Sequence, residues 1–319
     1  MNYNLLIDNL SNPALLFFVL GVIAVLIKSD LEIPSNTSKF ISLYLLLSIG
    51  FKGGQELSHE HFDQEILLSI LFGVAISIII PIYTYYILRF KLSVHNAGAI
   101  AASYGSVSAV TFVTAVSYLE SMQMHMSGHM VAIMAMMESP AIIAGLVLIS
   151  IYNKEKSTTY SKREAIKHSF TNGSVLLIIG SLLIGYFANA KQAEGIKPFT
   201  NDIFKGFLAV FLLDMGITSG KKLSSFVDSG WFPIAFAILI PLINGITVTY
   251  LSGTFTNDVS NRFVFGILAA SASYIAVPAA MKIAVPKANP GLYLPMALAI
   301  TFPINITIGM PIYFYVASM

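Results

Sequence analysis

Apolar stretches alternate with polar ones along the whole chain, at the lengths that membrane-spanning helices need. A helix requires about 20 apolar residues to cross the hydrocarbon core, and somewhat fewer where the bilayer thins. The pattern predicts ten spans, at residues 13–28, 39–54, 66–89, 95–119, 126–152, 172–190, 199–219, 230–253, 261–285 and 291–317. The second span is short, and Gly50, Gly53 and Gly54 are expected to end it. The predicted fold is therefore an all-α polytopic membrane protein.

Two of these spans are similar in sequence, and each is interrupted in its middle. Residues 99–111 read AIAASYGSVSAVT and residues 266–278 read GILAASASYIAVP, which align at a shift of 167. Both segments carry small residues and hydroxyls where a continuous spanning helix would carry large apolar side chains. Two interrupted segments at matching positions in two halves are the best sequence indication of a secondary transporter's substrate site.

The similarity between the two halves extends beyond these segments. Residues 43–57 (LYLLLSIGFKGGQEL) are similar to residues 210–223 (VFLLDMGITSGKKL), and Pro81 and Pro241 each lie in the middle of a corresponding span. Spans 1–5 therefore correspond to spans 6–10. Because five is odd, the two repeats must cross the membrane in opposite directions, as an inverted repeat. The predicted division is a first repeat, a cytoplasmic linker and a second repeat, at 1–152, 153–171 and 172–319.

Composition agrees with a membrane protein and excludes several other classes. Apolar residues make up 56 % of the chain and charged residues 11 %, whereas about 25 % of residues are charged in soluble domains. A formal net charge of +2 gives no indication of nucleic-acid binding. The absence of cysteine excludes disulfides, thiolate metal sites and a cysteine nucleophile. The N-terminus has no basic n-region, so the first apolar stretch is expected to remain as a span and not to be cleaved as a signal peptide.

The distribution of Lys and Arg predicts the orientation. If the N-terminus is outside, the cytoplasmic loops hold thirteen of the eighteen basic residues and the outer loops hold five. The protein is expected in a bacterial inner membrane. Because cytoplasmic loops carry the excess of basic residues, both termini are expected on the outer side and the 153–171 linker in the cytoplasm. The acidic, His-rich segment 56–65 (ELSHEHFDQE) then faces outward.

The two interrupted helices form the candidate substrate site. A break frees backbone N–H groups at the start of the second half-helix, where the helix dipole is positive, and two such ends together can bind an anion. Gly105 and Ala272 let the backbone approach a small ligand, and Ser106, Ser108 and Ser273 can add hydroxyl donors. Neither segment contains Lys or Arg, which indicates a small, weakly charged anion or a co-bound cation. Helix packing would explain any one of these small residues, but it does not require both interruptions.

Two acidic residues lie well inside predicted spans, away from the span ends, where an ionisable group costs a few kcal/mol. Glu138 lies in AIMAMMESPAII, and the repeat places Asn305 opposite it. These two side chains, with Thr111 and backbone carbonyls, could supply the oxygen ligands of Na⁺. Asp214, in VFLLDMGITSG, either has a similar function or lies near a membrane surface as a cap or an ion-pair partner.

Motifs for enzyme chemistry are absent. His125 and His129 are spaced as a metal pair in HMSGH, but no third ligand lies nearby. The patterns G-x-S-x-G, G-x-G-x-x-G and the P-loop do not occur. We therefore expect a protein that is not an enzyme and that needs no cofactor.

Five motifs spread over nearly the whole chain resemble one family. They are SIGFKGGQEL (48–57), AASYGSVSAVTF (101–112), MESPA (137–141), LLDMG (212–216) and AASASYIAVPAA (269–280). Together they resemble the cyanobacterial-type sodium-dependent bicarbonate transporter family. The resemblance implies a five-plus-five inverted repeat with core and gate domains, assembled as a homotrimer. It also implies HCO₃⁻ uptake driven by Na⁺, with bicarbonate bound between the broken helices.

The resemblance also implies which residues bind the ions. At the matching positions the substrate-binding residues are Gly105, Ser106, Val107, Ser108, Ala272, Ser273 and Tyr274. The repeat adds the expected sodium ligands Ser271, Thr111, Glu138 and Asn305. The resemblance also implies a comparison with the cyanobacterial members, which have a larger cytoplasmic linker and are regulated by a PII-like trimer on the cytoplasmic face. The linker here has nineteen residues, which argues against that partner.

Other functions remain open at this stage. A sodium-coupled transporter of another small organic anion, of the bile-acid symporter kind, shares the architecture. A larger substrate needs an open cavity, and Tyr104 and Tyr274 beside the crossing favour a small one. A proton antiporter would use paired acids at the crossing, where this chain has serines. A channel would not need two broken helices, but the sequence alone does not exclude one.

Overall fold

The computed structural model describes residues 13–153, 173–226 and 230–319, which form helices and no strand. Residues 1–12, 154–172 and 227–229, which include nearly all of the predicted linker, lie outside the described residues. The helices, numbered in chain order over the described part, are α1 (Pro13–Leu26), α2 (Ser35–His59), α3 (Gln64–Arg89), α4 (Val94–Gly105), α5 (Ala109–Ser121), α6 (His129–Tyr152), α7 (Gly173–Phe187), α8 (Ala190–Lys197), α9 (Phe204–Phe226), α10 (Trp231–Ser252), α11 (Val259–Ala270), α12 (Ala276–Ala284) and α13 (Pro290–Ala317). Short π-helical stretches interrupt α13 and join α8 to α9.

Six helical stretches of the described residues are long and apolar enough to cross a membrane. They are Gln64–Arg89, Val94–Ser121, His129–Tyr152, Ala190–Leu223, Trp231–Ser252 and Pro290–Ala317. Shorter apolar helices cover Leu15–Leu26, Val175–Phe187 and Val259–Ala270. The fold is therefore that of a multi-pass, all-helical membrane protein, and the count of ten spans stays a prediction.

The expected end of the second span at its glycines was wrong. Helix α2 continues through them to His59. The glycines serve close packing instead: Gly50 lies against the backbone of Ile178 in α7, and Gly54 lies against the carbonyl of Leu182 in the same helix. Because small residues let two helix backbones approach closely in a membrane, this packing supports a helix that glycine alone would weaken.

Two helix pairs share this close packing. Helix α2 packs along α7, and α1 packs along α9, where Gly21 and Gly216 meet. A Cβ atom added to Gly216 would lie 3.1 Å from the Cα of Gly21. In the predicted repeat, the span that contains α1 corresponds to the span that contains α7, and the span that contains α2 corresponds to the span that contains α9. Under this correspondence, the pair of α1 and α9 is equivalent to the pair of α7 and α2.

The remaining helices also pack in two matching sets. Helix α3 packs against α4 and α6, and α4 packs against α6. In the same way α10 packs against α11 and α13, and α11 packs against α13. The central prolines, Pro81 and Pro241, lie inside α3 and α10. These two sets carry the interrupted segments, and they place the two interruptions next to each other.

Polar contacts tie the two halves together at both ends of the helices. At one end the backbone N–H of Asn289 donates to the Asn96 side chain at 2.8 Å. At the other end the Asn261 amide accepts a hydrogen bond from the Ser127 backbone N–H at 2.9 Å and donates one to its hydroxyl at 2.8 Å. The short helix α8 lies at this second end, in a region expected to be a loop, and a capping box formed by Asn189 and Gln192 begins it.

Candidate functional site

The helical backbone is interrupted at both matching segments. It stops at Gly105 and resumes at Ala109, and it stops again at Ala270 and resumes at Ala276. Ser108 begins α5 as its N-cap, since its hydroxyl accepts a hydrogen bond from the backbone N–H of Thr111 at 3.2 Å. The short side chain of a serine can accept a hydrogen bond from a backbone N–H that has no partner within the helix. Serine is therefore favoured at the N-cap, where a helix begins.

The two interruptions touch each other through serines. The Ser103 hydroxyl donates to the carbonyl of Ser273 at 2.5 Å, and the backbone N–H of Ser273 donates to the carbonyl of Ser103 at 2.8 Å. The backbone N–H of Ser108 donates to the Ser271 hydroxyl at 3.0 Å. Four backbone polar groups near the breaks, two N–H groups and two carbonyls, are thus satisfied by the opposite segment. These bonds hold the crossing in one arrangement.

A small cavity of about 20 Å³ lies at the crossing. Its lining comes from both interrupted segments, from α6 and from α2: Leu46, Val107, Ser108, Ala109, Val110, Glu138, Ser273, Tyr274, Ile275 and Ala276. The first residues of both second half-helices are among them. The first N–H groups of a helix have no partner within it and carry the positive end of its dipole. The cavity therefore combines two helix N-termini, two serines and one carboxylate.

Some predicted substrate residues line this cavity and others do not. Val107, Ser108, Ser273 and Tyr274 line it. Gly105 instead faces α3, where a side chain would collide with the ring of Pro81. Ser106 and Ala272 are buried beside the crossing, and the Ser106 hydroxyl has no hydrogen-bond partner among the described residues. A buried hydroxyl without a partner costs free energy, so Ser106 keeps an unsatisfied polar group beside the crossing.

The predicted sodium ligands are spread over the crossing. Glu138 lines the cavity and has no ion-pair partner among the described residues. Thr111 is buried in the first turn of α5. The hydroxyl of Ser271 accepts from Ser108 and donates to the carbonyl of Leu268 at 3.0 Å.

Asn305 belongs to α13 and lies against the last residue of α11. Its amide nitrogen donates to the carbonyl of Ala270 at 2.7 Å, and its amide oxygen accepts from the Tyr313 hydroxyl at 2.9 Å. The structure thus brings Glu138 to the small cavity, whereas the Asn305 side chain bonds to Ala270 and Tyr313.

A layer of buried polar side chains behind the crossing was not anticipated from the sequence. Asn244 of α10 donates to the carbonyl of Ala269 at 3.3 Å and accepts from the hydroxyl of Tyr83. The hydroxyls of Tyr104 and Thr301 lie 2.8 Å apart. Asn244 is a polar residue in an otherwise apolar predicted span, as Asp214 is, and the same argument would have identified it.

The two polar features that the sequence left open have partners. The carboxylate of Asp214 accepts a hydrogen bond from the Ser38 hydroxyl at 2.5 Å, which joins α9 to α2. His129 lies 2.7 Å from the Glu60 carboxylate, whose other oxygen accepts from the backbone N–H of Gly128 at 2.5 Å. Burial raises the pKa of Glu60, but these hydrogen bonds outweigh it and leave the pKa lowered. Among the described residues no cluster of three His, Asp or Glu side chains could hold a metal ion.

Sequence comparison assigns the family. A profile of the Na⁺-dependent bicarbonate transporter superfamily matches residues 13–318, which is nearly the full chain. No curated protein matches this chain. The profile covers both interrupted segments, the cavity between them and the helices that surround it. This chain therefore belongs to the Na⁺-dependent bicarbonate transporter superfamily.

Proposed function

We propose that this protein is a sodium-driven symporter that imports bicarbonate by alternating access. The observation that carries the proposal is the cavity at the crossing, where the first turns of two half-helices, two serine residues and Glu138 converge. Membership of a transporter superfamily also favours transport over catalysis. The substrate residues proposed are Ser106, Val107, Ser108, Ser273 and Tyr274, with Gly105 and Ala272 shaping the backbone around them.

The chemistry of the cavity fits a small monovalent anion. Helix N-termini and hydroxyl groups bind an anion through dipoles, without the strong attraction of a fixed cation. A transported ion must also leave, and weak dipolar binding allows its release. Two half-helix ends that point at a substrate near the membrane midplane are a recurring arrangement of secondary transporters.

The size of the cavity indicates that binding requires movement. A volume of about 20 Å³ holds roughly one water molecule, and bicarbonate has four non-hydrogen atoms. Leu46 of α2 is the wall residue that comes from the group α1, α2, α7 and α9. Separating this group, the proposed gate, from the helices that carry the crossing, the proposed core, would enlarge the cavity. Alternating access is that separation, made in turn toward each side of the membrane.

Glu138 supports the coupling to sodium. A carboxylate in the same small cavity would repel bicarbonate unless a cation lies between them. Sodium bound by Glu138, with oxygens from Ser271, Thr111 and Asn305, would remove that repulsion and place a positive charge beside the anion. Each ion then raises the affinity for the other, and that reciprocal effect is what a symporter needs.

The matching helix packing supports a five-plus-five inverted repeat. Corresponding helices form corresponding pairs in both halves, and two central prolines lie in corresponding helices. With five spans in each repeat, both termini lie outside in the orientation that the basic residues favour. The homotrimer remains a prediction of the family resemblance, and the nineteen-residue linker argues against a PII-like regulator.

The test is uptake of radiolabelled bicarbonate into proteoliposomes, with and without an inward Na⁺ gradient, at a pH where HCO₃⁻ dominates. We expect accumulation that depends on sodium. No uptake by folded protein would exclude bicarbonate, and uptake of a small carboxylate under the same gradient would favour the organic-anion alternative. Uptake that does not respond to the gradient would argue against symport.

A further inference from the structure

A second and larger cavity lies between α2, α5 and α8. Its volume is about 380 Å³, and it carries charged side chains of both signs. Lys52 and Glu56 come from α2, Glu120 from α5, and Glu194 and Lys197 from α8. In the proposed orientation these helix ends face outward, so we call this space the outer cavity.

The outer cavity and the small cavity at the crossing lie along one helix interface. On α2, Leu46 lines the small cavity, while Ile49 and Lys52, three and six residues further along the helix, line the outer one. On α5, Ala109 lines the small cavity and Glu120 the outer one, on the same face and about 16 Å further along the helix. The α2–α5 interface is thus the direct route between the two cavities.

An ion pair crosses this interface at the outer cavity. The ammonium of Lys52 lies 2.9 Å from the carboxylate of Glu120, and these side chains are 24 % and 18 % exposed. The same ammonium lies 4.9 Å from the centre of the Phe204 ring on α9. Both charges are therefore held between helices and still reach the solvent of the cavity.

The other charges of the outer cavity leave an acidic excess. Glu194 and Lys197 pair with each other at 3.4 Å and are largely exposed. Glu56 has no ion-pair partner among the described residues. A cavity that contained only an anion site would be expected to carry a positive excess. The charges present here suit a cation and an anion that arrive together.

We infer that the outer cavity is the access site for both transported ions, where Lys52 binds the monovalent anion and Glu120 binds Na⁺. The inference rests on the proposed function. When the Lys52–Glu120 pair opens, Lys52 exchanges the Glu120 carboxylate for the anion, and Glu120 exchanges the Lys52 ammonium for Na⁺. No charge is therefore left uncompensated. Because the pair is partly solvated, this exchange avoids the cost of breaking a fully buried ion pair. Opening of the pair also separates α2 from α5 along the route inward.

The first experiment measures initial uptake rates in proteoliposomes for Lys52→Met, Glu120→Gln and the control Lys191→Met. Lys191 is an exposed residue of α8 that does not line the cavity. We expect Lys52→Met to raise the KM for bicarbonate at least fivefold and to leave the half-saturating Na⁺ concentration unchanged or lower. Glu120→Gln should do the opposite, raising the half-saturating Na⁺ concentration and sparing bicarbonate. Lys191→Met should match wild type.

A purely structural ion pair gives a different result. In that case both variants would lower the maximal rate or the stability together, with both concentration dependences unchanged, and the inference would be wrong. If wild type shows no sodium-dependent bicarbonate uptake, the proposed function fails instead. If wild type transports and the two variants do not separate the ions, only the access site fails.

Thiol protection provides a second readout that does not depend on transport rates. The chain has no cysteine, so Met124→Cys places a single thiol at the lining of the outer cavity. We expect a membrane-impermeant thiol reagent to label it, and sodium bicarbonate to slow the labelling. Adding Lys52→Met should abolish that protection. Equal protection with and without Lys52 would overturn the assignment of the anion to this side chain.

Discussion

Ser103 and Ser273 hold the two interrupted helices together by a reciprocal pair of hydrogen bonds. The Ser103 hydroxyl donates to the Ser273 carbonyl at 2.5 Å, and the Ser273 N–H donates to the Ser103 carbonyl at 2.8 Å. Both residues are buried. The crossing therefore depends on one side chain that motif comparison did not single out.

Ser103→Ala tests this contact. The substitution leaves the Ser273 carbonyl without its side-chain donor in a buried place, which costs about 1–3 kcal/mol. We expect a lower unfolding temperature in detergent and reduced uptake. Ser252→Ala is the matched control, because among the described residues that buried hydroxyl bonds to a carbonyl of its own helix, Thr249, at 2.8 Å and makes no bond across the crossing. Equal effects of the two substitutions would show that the bond across the crossing has no special importance.

Ser106→Ala and Ser273→Ala should each weaken bicarbonate uptake without preventing insertion. A lost hydrogen bond to the anion of about 1 kcal/mol corresponds to roughly a fivefold rise in KM. The Ser106 hydroxyl has no protein partner among the described residues, so its removal should leave the unfolding temperature unchanged or raise it slightly. Ser273 also accepts from the backbone N–H of Val277 at 3.4 Å, so its removal should lower stability slightly. Normal uptake by both variants would remove these serines from the substrate site.

Glu138→Ala should change the dependence of uptake on external sodium. Removing the carboxylate takes the charge that attracts the cation out of the cavity, so the half-saturating Na⁺ concentration should rise several-fold. Glu138→Gln keeps the size and an oxygen ligand, and it should give an intermediate effect. The measurement is initial uptake against sodium concentration. A sodium curve identical to that of wild type would exclude Glu138 from the ion site.

Glu60→Gln should remove a stabilisation that depends on pH. The pKa of Glu60 is lowered below its ordinary value of 4.5 in the folded protein, so its ionised form stabilises the fold above that pH. The contribution is lost as the pH falls through the folded pKa. Unfolding temperatures in detergent should show Glu60→Gln less stable than wild type at neutral pH and equal to it in acid. Glu32→Gln, at an exposed site, should match wild type at every pH.

Gly216→Ala should destabilise the α1–α9 pair. Its methyl group would collide with the carbonyl of Phe18 and lie 3.1 Å from Gly21, and such overpacking costs about 1–3 kcal/mol. Gly206→Ala is a control in the same helix, since nothing lies within 4 Å of its added Cβ. That substitution should be neutral or stabilising, because Ala favours a helix by about 1 kcal/mol over Gly. Similar unfolding temperatures for the two variants would contradict close packing at Gly216.

The sequence by itself identified the membrane class, the two interrupted segments and the family. Each of these depends on local patterns: apolar length, small and hydroxyl residues within it, and motifs such as AASYGSVSAVTF. Periodicity and composition are visible in one stretch of chain, and they need no knowledge of neighbouring helices. The same local argument was wrong at Gly50 and Gly54, where glycine suggested a helix end but close packing against α7 supports a continuous helix.

Only the tertiary structure decided which polar groups meet. It brought Glu138 into the small cavity with Ser108 and Ser273, and it tied Asn305 to Ala270 at the end of α11. It also placed Lys52 against Glu120 across α2 and α5. These pairs lie far apart in the chain, and their contact depends on how helix faces rotate and cross. A single sequence shows which residues could bind an ion, whereas packing determines which of them keep a free side for it.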